Sequence, residues 1–381
     1  MKVAIVTPTL SHFEVPLFRV AAQLHGIEAV VFHHDRSEGE RYDSEYKTMI
    51  DWGEDLHSGY DGRHSPDHRS LRKAVRDWKP DVMILYGYAW KGALQILIDA
   101  KIQRVPVILR GLLSPYTDPR ASLSSRLWRS VRPFLLRRFD AHHFGGSYGN
   151  EVLEEARVPV SKRYLVPFSV DTPYFARQAE APDQLASARA LRRDLGWSPD
   201  APIMLFLCQH NWFKGPDIMI EIARIVQGAI PDAKLIMAGS GGMTDELKTM
   251  AATMLKPSSF HFPGYVSSKA TARFYLAADL TAFPSRYDTW SRAVNEAMLC
   301  RSPCIVSHMV PACGGLVADG ENGMVVQGLN PKDHAARIID FFAMPAADRK
   351  AMGVRARARA LTFSYDQHID ALRRSIEDRL A

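Results

Sequence analysis

The residues best suited to chemistry fall in the run Pro284-Ser285-Arg286-Tyr287-Asp288-Thr289-Trp290-Ser291-Arg292-Ala293-Val294-Asn295-Glu296-Ala297-Met298. This run follows a β-rich stretch at 279–283 and opens into a helical pattern. Backbone N–H groups at such a helix start, Thr289 to Ser291, suit an anion or a hydroxyl. Asp288 stands at its mouth, where a carboxylate accepts from sugar hydroxyls. Glu296 follows eight residues later, which at helical rise separates the two carboxylates by about 12 Å. That distance spans a nucleotide-sugar from ribose to hexose. It exceeds the roughly 5–9.5 Å of a carboxylate pair that hydrolyses glycosides. Spacing alone favours an N-cap aspartate followed by a solvent-facing glutamate, because N-cap aspartate is common.

Lys214-Gly215-Pro216-Asp217 follows an apolar run and begins a helix, with Pro216 suited to the first turn. A lysine there is a point charge for a pyrophosphate, or a surface lysine in a loop. Gly239-Ser240-Gly241-Gly242 is too short for a dinucleotide fingerprint, and no G-K-[ST] loop occurs. Leu109-Arg110-Gly111 and Tyr86-Gly87-Tyr88 end strand candidates; Arg110 reads as a ligand for a sugar or phosphate, or as an ion-paired loop residue. Ser11 and His12 follow the first strand candidate. No D-x-D occurs, so the sequence offers no basis for a metal on a diphosphate.

The elements that must position these residues alternate twice between short β-rich runs and helices. Strand candidates are 2–7, 28–33, 81–86, 105–110, 140–144 and 162–167, then 202–208, 233–238, 259–263, 279–283 and 303–307. Several are continuous apolar runs, as in parallel strands covered on both faces. The pattern predicts α/β architecture with two Rossmann-like parallel-sheet domains, 1–168 and 169–364, facing a cleft. Residues 34–66 are polar and poorly periodic, which predicts a long loop.

The 381 residues carry a net charge of +6, well short of a nucleic-acid binder. The four cysteines form no C-x-x-C pair and read as buried free thiols. No window holds the roughly 18 consecutive apolar residues of a membrane span. The apolar run at the N-terminus is too short for a signal peptide, so a cytoplasmic protein is expected.

The run 284–298 resembles the signature of retaining glycosyltransferases of family 4, whose subgroup pattern reads P-S-x-x-E-x-W-G-x-x-x-N-E-A-M. The chain keeps Pro284, Ser285, Trp290, Asn295, Glu296, Ala297 and Met298, with Asp288 for the first Glu and Ser291 for the Gly. Ala238-Gly239-Ser240-Gly241, Phe262-Pro263-Gly264-Tyr265-Val266, Pro303-Cys304-Ile305-Val306-Ser307 and Asp319-Gly320-Glu321-Asn322-Gly323 resemble further motifs of that family, in order. In the N-terminal half only the strand pattern and Val15-Pro16-Leu17-Phe18-Arg19 resemble it.

The resemblance implies the GT-B fold and transfer of a sugar, with retention, from a nucleotide-diphosphate sugar to a glycan or lipid-linked acceptor in surface polysaccharide or glycolipid synthesis. It implies no cofactor and no metal. Lys214 would hold the diphosphate and Glu296 the ribose, while Gly239, Ser240, Gly264 and Val266 skirt the nucleotide. Thr289, Trp290 and Ser291 complete the donor site. Asp288 and Arg110 stand at the reacting sugar, and Ser11 and His12 on the acceptor side. Where the family adds an Arg five residues before the lysine, this chain has Gln209. His210, Asn211, Arg286 and Arg292 are the candidates to compensate. The alternatives are a non-catalytic sugar- or nucleotide-binding protein on the same fold, or a nucleotide-sugar epimerase.

Residues 120–138 hold six arginines and no acid, interleaved with Leu, Phe and Trp. The pattern fits peripheral contact with an anionic membrane, or a packed helix with a solvated basic face. Pro133 predicts a break into two short helices. At the C-terminus Ile369, Leu372, Ile376 and Leu380 form one apolar stripe. The GT-B resemblance implies that 365–381 crosses back to the first domain.

Overall fold

A computed structural model describes residues 1–11, 14–34, 41–43, 48–50, 55–111, 113, 123–166, 168–288, 290–310 and 315–380; residues 41–43, 48–50, 123–129, 365, 367 and 368 are described by backbone alone. The chain divides into two units.

Unit 1 begins with β1 (Lys2–Thr7), α1 (Val15–Ala21) and β2 (Glu28–His33). A short antiparallel hairpin of β3 (Arg41–Asp43) and β4 (Thr48–Ile50) groups with unit 2. Unit 1 continues with β5 (Asp61–His64), α2 (His68–Trp78), β6 (Val82–Tyr86), α3 (Ala93–Ile102) and β7 (Val107–Arg110). Then come α4 (Leu123–Leu136), β8 (Ala141–Phe144), α5 (Ser147–Glu155) and β9 (Arg163–Leu165). Its seven strands form one parallel sheet in the order β5-β2-β1-β6-β7-β8-β9.

Unit 2 holds α6 (Thr172–Gln178), α7 (Pro182–Asp194), β10 (Ile203–Leu207), α8 (Pro216–Ala229), β11 (Lys234–Ala238) and α9 (Thr244–Met254). β12 (Phe260–Gly264), α10 (Thr271–Ala277), β13 (Leu280–Phe283), α11 (Arg292–Leu299), β14 (Cys304–Ser307), β15 (Gly323–Val326), α12 (Pro331–Ala343) and α13 (Ala346–Leu361) follow. The sheet runs β12-β11-β10-β13-β14-β15, all parallel. Side chains of β10 alternate between two cores: Ile203 and Leu205 face one, Met204 and Phe206 the other. Burial on both faces is why this strand reads as an unbroken apolar run.

The last helix, α14 (Tyr365–Glu377), groups with unit 1 and packs on α1 and β9. Leu372 and Ile376 are buried, and Ser375 Oγ lies 2.8 Å from His143 Nε2. Tyr164 donates its hydroxyl to Asp378 at 2.6 Å. Leu380, the last residue of the anticipated stripe, is exposed.

Several elements depart from expectation, the hairpin of β3 and β4 within 34–66 among them. The stretch 34–66 carries β5, an edge strand paired with β2; its four residues are exposed, so no apolar alternation marks it. α4 is one helix with Pro133 inside it. Leu135 and Leu136 are buried in the core of unit 1, which offsets the missing N–H of the proline. α13 is rich in Arg and Ala and shows little apolar periodicity. It docks through small residues, and a Cβ on Gly353 would meet the Arg301 carbonyl oxygen at 2.4 Å.

Candidate functional site

In the unit 2 sheet the chain leaves β10 toward β11 on one side and returns to β13 on the other. The crevice between the loops after β10 and β13 is therefore a topological switch point, where open parallel sheets bind ligands. Asn211 caps a single 3-10 turn, Trp212–Lys214, by accepting from Lys214 N at 3.1 Å. Gly215 follows at φ +67, and a Cβ there would lie 2.3 Å from the Pro284 carbonyl oxygen. Only glycine lets the two loops approach so closely. Lys214 Nζ consequently reaches Asp288 Oδ2 at 2.7 Å.

Asp288 is 3% exposed. Its second oxygen accepts from Trp290 N at 3.3 Å and Ser291 N at 3.1 Å. Burial alone would raise its pKa, but the Lys214 ammonium and these donors outweigh burial and hold the carboxyl below its usual range. Burial likewise works against the Lys214 charge, and Asp288 prevails there too. The pair is ionised. It also means that the helix-start amides of Trp290 and Ser291, expected to be open to a ligand, are occupied by Asp288.

Ser291 stands where the family pattern has glycine, and its φ is +60, in the left-handed region. The glycine of the pattern thus answers a backbone requirement. Trp290 is buried against Phe363, ring centroids 5.9 Å apart, and anchors the loop in the core. Glu296, on α11, accepts from the Tyr275 hydroxyl at 3.0 Å. Burial raises its carboxyl to about 7, with Arg292 and Tyr275 acting against the rise. Tyr275 carries no local motif signal, because it lies on α10 and meets Glu296 only through packing.

The loop after β11 presses onto the loop after β10. A Cβ on Gly239 would lie 1.9 Å from the Cys208 carbonyl oxygen, and one on Gly241 2.6 Å from that of His210. His210 N donates to the Ser240 carbonyl at 2.9 Å, and Gly239 N to that of Gly264 at 2.8 Å. Val266 packs against the unit 2 core. Of the candidates to compensate for Gln209, two are otherwise engaged. His210 is fully buried and burial lowers it to about 4, so it is neutral at physiological pH. Arg286 forms a two-point pair with Asp217, at 2.7 and 2.5 Å, and stacks on Trp212. Asn211 donates to Gln209 Oε1 at 2.9 Å. Arg292 is the cation that acts electrostatically on both Lys214 and Glu296.

In unit 1, Arg110 ends β7 and is 4% exposed. Ser11 donates its hydroxyl to Glu14 at 3.2 Å. His12 and Thr289 lie outside the described residues, as do Arg120 and the side chains of Arg126 and Arg129 in the basic segment. Among the described residues no group of three His, Cys, Asp or Glu is placed to hold a metal ion. Cys208, Cys300 and Cys304 are free thiols, and burial pushes Cys208 up to about 12.

Residues 187–359 match the family described as glycosyl transferases group 1. A D-inositol 3-phosphate glycosyltransferase of Geodermatophilus obscurus is 30% identical over 195 residues, 48% of this chain and 42% of that protein. One of the same name from Mycolicibacterium gilvum is 31% identical over 228 residues, 57% of this chain and 48% of that protein. The chain thus spans about half the length of the relatives it matches. Among solved structures, Anabaena Alr3699/HepE in complex with UDP and glucose superposes with a TM-score of 0.74 at 16% identity, covering 99% of this chain and all of that one. A glycosyltransferase from Rickettsia africae gives 0.76 at 14% identity, covering 100% and 98%. The fold is GT-B, two Rossmann-like parallel-sheet domains.

Proposed function

We propose that the protein is a retaining glycosyltransferase that moves a sugar from a nucleotide-diphosphate sugar to a glycan or lipid-linked acceptor in surface polysaccharide or glycolipid synthesis. The observation that carries this reading is the convergence of Lys214, Asp288 and Glu296 at one switch point. Lys214 turns from Asp288 to the donor diphosphate and offsets the charge that grows as the bond from sugar C1 to phosphate oxygen breaks. The acceptor hydroxyl attacks C1 on the face the diphosphate leaves. Its proton passes to the departing phosphate oxygen, so the configuration at C1 is kept. Asp288, freed from the lysine, accepts from sugar hydroxyls, and Glu296 from the ribose. The nucleotide-bound solved relative, with UDP and glucose, supports a nucleotide-sugar donor. With Lys214 at the diphosphate and no D-x-D in the chain, transfer proceeds without a divalent metal.

A lipid-linked acceptor agrees with α4, whose Val131 and Phe134 are 47% and 55% exposed beside Arg137 and Arg138. No described helix is long and apolar enough to cross a membrane, so this contact would be peripheral. The first test is a panel of nucleotide-sugars incubated with purified protein and EDTA, followed by proton NMR. Release or transfer of one sugar with its anomeric configuration kept is expected. Nucleotide binding with no turnover on any donor would favour the non-catalytic alternative.

A further inference from the structure

Arg110 is a buried cation with no ion-pair partner among the described residues. Its guanidinium has five N–H donors, no acceptor and a full positive charge. Among the described residues Nη1 donates to the Val166 carbonyl oxygen at 3.2 Å, and Nε has no partner. It lies between two aromatic rings, 4.9 Å from the Phe168 centroid and 5.6 Å from that of Tyr86, with the Tyr86 hydroxyl near it. His143, its neighbour on β8, is fully buried and held neutral by that burial and by the Arg110 charge itself. None of these groups is negative. Glu14, the acid that acts on Tyr86, accepts from Ser11. A charge buried with rings and a carbonyl for company is poorly compensated for the water it has lost. A guanidinium in that position is made good by an anion that comes and goes.

The surroundings fit a ligand's approach. β6, β7 and β8 are neighbours, and each runs into glycine: Gly87, Gly111 and Gly145. A Cβ on Gly145 would strike the Phe168 ring at 2.9 Å, and Gly87 has φ +72, so packing and backbone account for those two. Gly111 has neither constraint: a Cβ there would meet Gly87 Cα at an ordinary 3.7 Å. It keeps the strand end beside Arg110 bare at the carboxyl edge, where such sheets bind ligands.

We infer that Arg110 pairs with an anionic group, a phosphate or a carboxylate, carried by the acceptor bound on unit 1. This rests on the glycosyltransferase reading. The fork geometry of a guanidinium matches either group in two-point contact.

The test uses the full chain carrying Lys214→Ala, which removes the diphosphate cation, and the same chain with Arg110→Met or Arg110→Lys added. Inorganic phosphate, methyl glucuronide and methyl glucoside are titrated and followed by calorimetry. Phosphate or glucuronide should bind the Arg110 protein. Arg110→Met should lose about ten- to a hundredfold in affinity and Arg110→Lys less, with the glucoside unaffected. Preference for phosphate or glucuronide identifies which anion the acceptor carries. Equal binding with and without Arg110 would overturn the inference. So would an Arg110→Met protein, with Lys214 intact, that loses nucleoside diphosphate as severely as Lys214→Ala does, since the anion would then be the donor's. Should Arg110→Met fail to fold, the Arg110→Lys arm and phosphate inhibition of the unaltered protein, competitive with acceptor and not donor, decide. Retained nucleoside diphosphate binding in the Arg110 variants leaves the donor reading standing whichever way this falls.

Discussion

Lys214 Nζ and Asp288 Oδ2 stand 2.7 Å apart across the unit 2 switch point, and their exposures differ: the lysine side chain is 23% exposed, the aspartate 3%. The asymmetry sets which partner suffers more alone. Losing Lys214 strands a buried carboxylate, whereas losing Asp288 leaves an ammonium that reaches water. Lys214→Met should therefore destabilise the protein by on the order of 3 kcal/mol, and Asp288→Asn, which keeps a capping oxygen, by clearly less. Urea titration of both variants checks this; equal midpoints would show that the pair is not held as described. Lys214→Met should also weaken a nucleoside diphosphate far more than the nucleoside.

Glu296 titrates near neutrality because burial raises it to about 7. Its folded pKa lies above the unfolded one, so the folded state binds more protons between roughly pH 4.5 and 7. The stability this group contributes is full below that window and is lost as pH rises through it. Nucleotide binding through the carboxylate runs the opposite way, strengthening from pH 6 to 8. Glu296→Gln should flatten both profiles. Tyr275→Phe removes a hydrogen bond that favours the carboxylate and should move both midpoints upward.

Ser291 sits at φ +60, which costs an L-residue roughly 1–2 kcal/mol. Glycine relieves that strain but brings about 0.5–1 kcal/mol of extra unfolded-state freedom. Ser291→Gly should raise stability by up to about 1 kcal/mol, and Ser291→Val should lower it. Thermal melts of the two variants in opposite directions are the expected result.

Gly239→Ala should prevent unit 2 from folding, because its Cβ would fall 1.9 Å from a backbone carbonyl oxygen that β10 holds in place. Gly264→Ala, with nothing within 4 Å of its Cβ, carries only the φ penalty of its +79 backbone. Soluble yield and circular dichroism separate the two.

On α14, Ile376 is 1% exposed and Leu380 45%. Ile376→Ala should cost about 2–5 kcal/mol and Leu380→Ala under about 0.5 kcal/mol. Similar losses at both would place the helix other than against α1 and β9.

Much of the architecture was legible in the chain itself. Parallel strands buried on both faces must be apolar throughout, so 2–7, 82–86, 203–207 and 234–238 declare themselves in windows of a few residues. The run from Pro284 to Met298 likewise names Asp288 and Glu296, and Leu372 and Ile376 mark the buried side of α14. The edge strand 61–64 and the helix 346–361 stayed hidden for the converse reason. One is wet on both faces, and the other packs through glycine and alanine, so neither carries an apolar period. What only the tertiary structure decided is the partnering. Asp288 answers Lys214 from 74 residues away, Tyr275 reaches Glu296 over 21, and His143 meets Ser375 over 232. Arg286 is drawn off by Asp217, while Arg110 finds no matching charge among the described residues. Periodicity is a property of neighbours in the chain, but a side chain's partner depends on which strand lies beside which. In this sheet β13 lies beside β10, and nothing local to either strand says so.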